Sequence, residues 1–177
     1  MNTASAVHCA YSPFSQGVDT VAQRLYLAGP DVFYPDAAER AEHGRQLAQR
    51  YGFVALTPMD NQLPELPDGP SMAAWIFAKN IDLIQRADFV IANLSPFRGP
   101  SADAGTIWEV GYARGRGLPV WGFSSDSSEY RSRVTDDGLA IEDFGGYDNL
   151  MITESVEQPL QPSLEQAFEA AARYFQR

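Results

Sequence analysis

The sequence predicts an α/β fold: a parallel sheet of about five strands with helices on both faces. Two observations point there. Short apolar runs that close on Gly, Pro or Asn alternate along residues 24–177 with longer segments of helical periodicity. That alternation is the mark of βαβ units, with right-handed crossovers and a sheet buried on both sides. The chain has 177 residues and 45% hydrophobic content, which suits one domain with a single core.

The elements follow in order. Arg24-Leu25-Tyr26-Leu27-Ala28 has the near-continuous apolar character of a buried parallel strand and closes on Gly29-Pro30. Asp36 to Tyr51 reads as a helix, with Asp36 as N-cap after Pro35. Gly52 to Leu56 reads as the second strand, and Asn61 to Ser71 as a polar, Pro-rich loop. Met72 to Arg86 is a helix with Trp75, Ile76, Ile81 and Ile84 on or near one face. Ala87 to Leu94 is the third strand. Pro96 to Asp103 is a loop, and Ala104 to Arg116 a helix stopped by Gly117. Leu118 to Phe123 is the fourth strand. Ser124 to Asn149 is long, polar and irregular, with a short helix around Ser128 to Arg133. Leu150-Met151-Ile152 is the expected fifth strand. Ser163 to Arg177 is a C-terminal helix with Leu164, Ala167, Phe168, Ala171 and Phe175 at helical spacing.

Composition removes several classes of function. A net charge of −10 and a pI of about 4.5 argue against nucleic acid or an anionic membrane as partner. Cys9 is the one cysteine, so no disulfide framework or Cys-based metal site can be built within one chain. The two histidines are His8, in the N-terminal extension, and His43, on what reads as a solvated helix face. Catalysis is therefore pushed toward carboxylates. Neither a membrane-spanning run nor a signal peptide is evident, which makes a cytoplasmic protein the expectation. Residues 1–23 read as a flexible extension and 24–177 as the functional domain.

The most informative stretch is Ala102 to Gly117. Glu109 is a lone carboxylate inside the apolar run Ile107-Trp108-Glu109-Val110-Gly111-Tyr112-Ala113. A charge there must face solvent, be paired, or be chemically employed, because an unpaired buried charge costs several kcal/mol or more. Its helical neighbours Gly105, Thr106, Tyr112 and Ala113 include no basic partner. Asp103 stands at the mouth of the same helix, where a cap is the plainer explanation. Two carboxylates near a loop-to-helix junction fit chemistry on a glycosidic bond.

Ligands of such sheets bind outside the carboxyl ends of the strands. The loops there are Gly29 to Phe33, Thr57 to Gln62 and Ser95 to Asp103. Neither a full G-x-G-x-x-G nor a Walker A loop occurs, so no cofactor site is expected, and no metal site either. Asn80 and Asp82 point about 200° apart on a helix, so both do not enter one site; each by itself reads as solvated. Phe33, Trp75, Phe97 and Trp108 read as core more readily than as ligand platforms.

Several ordered segments together resemble the nucleoside 2-deoxyribosyltransferases. They are L-Y-L-A-G-P-D-V-F (Leu25 to Phe33), T-P-M-D-N-Q (Thr57 to Gln62) and K-N-I-D-L-I-Q-R-A-D-F-V-I-A-N-L-S-P-F-R-G (Lys79 to Gly99). D-A-G-T-I-W-E-V-G-Y-A (Asp103 to Ala113) and D-N-L-M (Asp148 to Met151) complete the set. The resemblance implies a flavodoxin-like, doubly wound sheet and transfer of 2-deoxyribose between nucleobases with retained configuration. It implies Glu109 as nucleophile, Tyr26 as the residue that positions it, and Asp103 as the group that assists the departing base. It further implies Gln62, Asn80 and Phe33 around the substrate. Asn149 and Met151 would be lent to a neighbouring subunit's site in a homo-oligomer, a dimer or hexamer. The expected ligands are deoxynucleosides and free nucleobases. Some members place a C-terminal carboxylate in the neighbouring site, whereas this chain continues into a helix ending at Arg177.

Two rival readings remain at this point. A hydrolase could use the same glutamate with water as acceptor, on deoxynucleosides or their 5′-monophosphates. The acidic Asp31 in the first loop disfavours a phosphate pocket. A non-catalytic nucleoside-binding domain would keep the pocket and lose the nucleophile.

Overall fold

The computed structural model describes residues 22–62, 65 and 69–175. Five strands form one all-parallel sheet: β1 (Arg24–Ala28), β2 (Val54–Leu56), β3 (Phe89–Asn93), β4 (Val120–Phe123) and β5 (Glu157–Gln161). Their spatial order is β2-β1-β3-β4-β5. The helices are α1 (Ala37–Arg50), α2 (Pro70–Arg86), α3 (Ala104–Gly115), α4 (Tyr130–Arg133), α5 (Leu150–Thr153) and α6 (Leu164–Phe175). This is the doubly wound α/β architecture expected, in the flavodoxin-like strand order.

The period-2 alternation of the strands divides the core. Leu25, Phe89, Ile91 and Trp121 face one way and pack with Leu47 of α1 and Phe168 of α6. Tyr26, Val90, Ala92 and Val120 face the other way and pack with Leu83 and Ile84 of α2 and Val110 and Ala113 of α3. β1 is the switch point: it pairs with β2 on one side and β3 on the other. The crevice there is where a doubly wound sheet binds ligands. Gly29 closes β1 at that crevice, and a Cβ on it would stand 3.0 Å from the Cβ of Asn93. The backbone is extended there, so close approach and not a special dihedral demands the glycine.

Two expectations need correction. Leu150–Thr153 is a helical turn, not the fifth strand: the Asn149 side chain accepts from the Met151 N–H and caps it. The fifth strand is Glu157–Gln161, a polar, Pro-bearing run at the sheet edge, where Pro is tolerated and strong patterning is not needed. Asp36 does not cap α1 with its side chain; Arg40 Nε donates to its Oδ1 at 2.9 Å. The remaining bounds differ by no more than two residues. His43 is exposed on α1, as expected. His8 and Cys9 lie outside the described residues.

Candidate active site

Glu109 meets Tyr26 because of two periodicities. Strand alternation turns Tyr26, rather than Leu25 or Leu27, toward α3. Helical spacing puts Glu109 one turn beyond the buried Thr106, on the side of α3 that faces the cleft. The fully buried Tyr26 hydroxyl donates to Glu109 Oε1 at 2.7 Å. Asn80 of α2 donates its Nδ2 to the same oxygen at 3.4 Å. Asn61 in turn donates Nδ2 to Asn80 Oδ1 at 3.4 Å. Both donors land on Oε1, and among the described residues nothing engages Oε2.

Asp103 caps α3, as its position suggested. Its Oδ2 accepts from the N–H of Thr106 at 2.9 Å and from the Thr106 hydroxyl at 3.1 Å. Oδ1 carries no protein hydrogen bond among the described residues. A Cβ on Gly105 would come within 3.1 Å of Oδ2 and crowd this cap. Both carboxylates thus spend one oxygen on the scaffold and keep the other open.

Glu109 and Asp103 share a cleft of about 400 Å³ at the switch point. Phe33, Met59, Trp75 and Ile76 give it apolar walls, and Asn61, Asn80, Asp103 and Glu109 give it convergent polar groups. Its size and its mix of apolar wall and few polar groups suit a small aromatic ligand. A second hollow of about 310 Å³, walled by Phe77, Ile81 and Trp108, also ends on Asn80 and Glu109.

Burial pushes the Glu109 carboxyl up to about 7, against an ordinary 4.5. The Tyr26 hydrogen bond opposes this, the negative charge of Asp103 adds to it, and the Asn80 hydrogen bond opposes it more weakly. Tyr26 is raised far above its ordinary value by burial first and by the Glu109 charge second, so it stays a neutral donor. A reaction that needs ionised Glu109 therefore loses rate as pH falls through about 7. Tyr26→Phe removes the largest group favouring the charged form. We expect an activity loss of about 10- to 100-fold, with the acidic limb of the pH–rate profile moved upward. An unmoved limb would mean that Tyr26 does not tune this carboxylate.

The expected site residues fall into three groups. Tyr26, Asn80, Asp103 and Glu109 come together. Asn80 is not solvated: it lies one turn before the buried Leu83 and Ile84 and shares their face. Asp82 points away and pairs with Arg86 at 3.0 Å. Phe33 lines the cleft but is 56% exposed, so it is not core; it stacks on Phe97 with centroids 5.6 Å apart. Trp108 is also no core residue, at 48% exposed. Gln62 is exposed and does not line the cleft; its neighbour Asn61 does. Asn149 and Met151 lie off this chain's own cleft, with Met151 70% exposed. Sequence reasoning missed Met59, and within the Asp60-Asn61-Gln62 turn it favoured Gln62 over Asn61. Arg98 has left-handed backbone (φ 55°) and holds its guanidinium 5.2 Å from the Phe33 ring centroid.

Asn80→Asp would set a second carboxylate against Glu109 Oε1. We expect the acidic limb of the rate profile to move up in pH, since like charges disfavour ionisation. An unchanged profile would show that Asn80 does not sense the charge on Glu109.

The profile of the nucleoside 2-deoxyribosyltransferase family matches residues 25–151. The chain belongs to this family. The match spans the sheet through β4, the cleft and the Asn149–Met151 turn. Among solved structures, a 2-deoxyribosyltransferase from Leishmania mexicana is 36% identical. That match covers 86% of this chain and 98% of that one, with a TM-score of 0.72. A 2-deoxyribosyltransferase from Bacillus psychrosaccharolyticus is 26% identical over 80% of this chain and 99% of that one, with a TM-score of 0.54. An uncharacterized protein of Schizosaccharomyces pombe is 34% identical over 113 residues, 62% of this chain and 54% of that protein. The chain thus matches about half the length of that curated relative. Among the described residues, no helix is long and apolar enough to cross a membrane, and no group of three or more His, Cys, Asp or Glu could hold a metal.

Proposed function

We propose that residues 24–177 form a nucleoside 2-deoxyribosyltransferase acting by double displacement. The observation that carries the reading is the Tyr26–Glu109 pair at the cleft: Oε1 is held at 2.7 Å and Oε2 is left open. In the first step Oε2 attacks the anomeric carbon. The C1′–N bond breaks, its electron pair goes to the base nitrogen, and Asp103, protonated or through water, supplies the proton. A deoxyribosyl ester of Glu109 results. In the second step a nitrogen of the incoming base attacks C1′ from the opposite side. The ester bond breaks, its electrons return to Glu109, and the proton of the incoming base passes to Asp103. Two inversions give net retention. Lack of a 2′-hydroxyl makes the oxocarbenium-like state easier to reach.

The cleft favours nucleosides over nucleotides. Among the described residues no Lys or Arg lines it, while two carboxylates do, so a 5′-phosphate would meet like charge. The exposed Leu150 and Met151 beside the half-buried Asn149 support a homo-oligomer in which Asn149 exchanges its hydrogen bond to Glu142 for a neighbour's sugar. The test is deoxyinosine with and without adenine, followed by chromatography. Transfer gives deoxyadenosine and hypoxanthine only when adenine is present. Equal release of hypoxanthine in both incubations, with no deoxyadenosine, would make the protein a hydrolase.

A further inference from the structure

The long excursion between β4 and β5 has little regular structure, yet two charged side chains fasten it to the loop before α3. Asp148 is 2% exposed. Its Oδ1 accepts from the Ser101 hydroxyl at 2.7 Å and from the Asn149 N–H at 2.7 Å. Its Oδ2 accepts from the Ala102 N–H at 2.9 Å. Arg133 supplies the opposite half of the brace: Nε donates to Pro100 O at 2.9 Å, and the guanidinium also donates to the Tyr147 and Ser128 carbonyls. The segment from Pro100 to Ala102 is thus gripped from both signs of charge, and Asp103 follows it directly. A buried carboxylate with three short donors and no cation among its partners is held by geometry that cannot shift cheaply.

We propose that Asp148 is a positioning residue for the Asp103 carboxyl. It fixes the Ser101–Ala102 backbone from which Asp103 projects and joins it to the Asn149 turn, so that the acid's free oxygen stays over the cleft. This rests on the reading of Asp103 as the group that protonates the departing base. In the first step that role matters only when the departing base needs a proton. A purine methylated at N7 already carries a positive charge and leaves as a neutral molecule once the C1′–N bond breaks.

Asp148→Asn keeps the shape but turns one acceptor into a donor, so one of the three hydrogen bonds becomes a clash of two donors. Release of the departing base in a single turnover, with no acceptor base present, is measured from 2′-deoxyguanosine and from 7-methyl-2′-deoxyguanosine. We expect about a 10- to 100-fold loss with the first donor, the scale of a misplaced catalytic group, and a much smaller loss with the methylated donor. Ser101→Ala removes one of the three donors and should show the same selectivity at smaller size; it serves if Asp148→Asn does not fold. Equal losses with both donors, or no loss with either, would overturn the proposal. Asp103→Asn separates the two layers. If it fails to distinguish the donors, the acid reading falls and takes this one with it. If it distinguishes them and the Asp148 and Ser101 variants do not, only the role of Asp148 falls.

Discussion

Glu109→Gln abolishes base exchange, by about three orders of magnitude or more, as expected when a covalent nucleophile is removed. The variant is chosen to leave everything else in place. A glutamine oxygen can still accept the Tyr26 hydroxyl, and the cleft keeps its walls. What goes is the open carboxylate oxygen. Chromatography of deoxyinosine and adenine measures the loss. Intact-mass analysis supplies a second readout: wild-type protein mixed with a deoxynucleoside alone gains the mass of one deoxyribosyl group, and the variant does not. Exchange retained in Glu109→Gln would remove Glu109 from the reaction, whatever the family membership of the chain.

That carboxylate was legible because a charge inside an apolar helical run demands an explanation, and the structure supplies it in Tyr26 and Asn80. The first four strands were legible for the same kind of reason: buried parallel strands are continuous apolar runs, and Leu25 to Ala28 or Phe89 to Ala92 can be little else. The fifth was not. Glu157–Gln161 is an edge strand whose residues need not be apolar, while the apolar Leu150-Met151-Ile152 imitates a strand until Asn149 caps it into a turn. At the cleft, helical periodicity separated Asn80 from Asp82 but could not say which faced inward; that depends on where α2 crosses the sheet. The choice between Asn61 and Gln62 was set by the turn after β2. There Thr57 N donates to Asp60 Oδ2 at 2.8 Å, and Arg45 pairs with Asp60 at 2.6 Å. The brace of Asp148 and Arg133 joins residues more than thirty positions apart, and no local pattern announces it.

Glu109→Gln should also make the protein more stable, and only above a certain pH. In the folded wild type the carboxyl ionises near 7, against 4.5 when exposed. A carboxyl raised on folding contributes stability that is full below its unfolded value and is lost as pH rises through the folded one. The wild type therefore carries, above pH 7, the cost of a buried charge that the neutral amide does not have. The gap between variant and wild type opens from about pH 4.5 and levels off above about pH 7. The shift corresponds to about 3 kcal/mol, or a Tm difference of roughly 6–12 °C for a domain of this size. Thermal unfolding at pH 5 and pH 8.5 reads it directly: the variant melts higher at pH 8.5, and the two curves approach each other at pH 5. A difference that is the same at both values would mean that Glu109 is solvated like any surface carboxylate. The stability cost and the pH limb of activity would then disappear together, because the desolvation that opposes folding is also what holds the carboxylate at an acidity suited to attack on a sugar carbon.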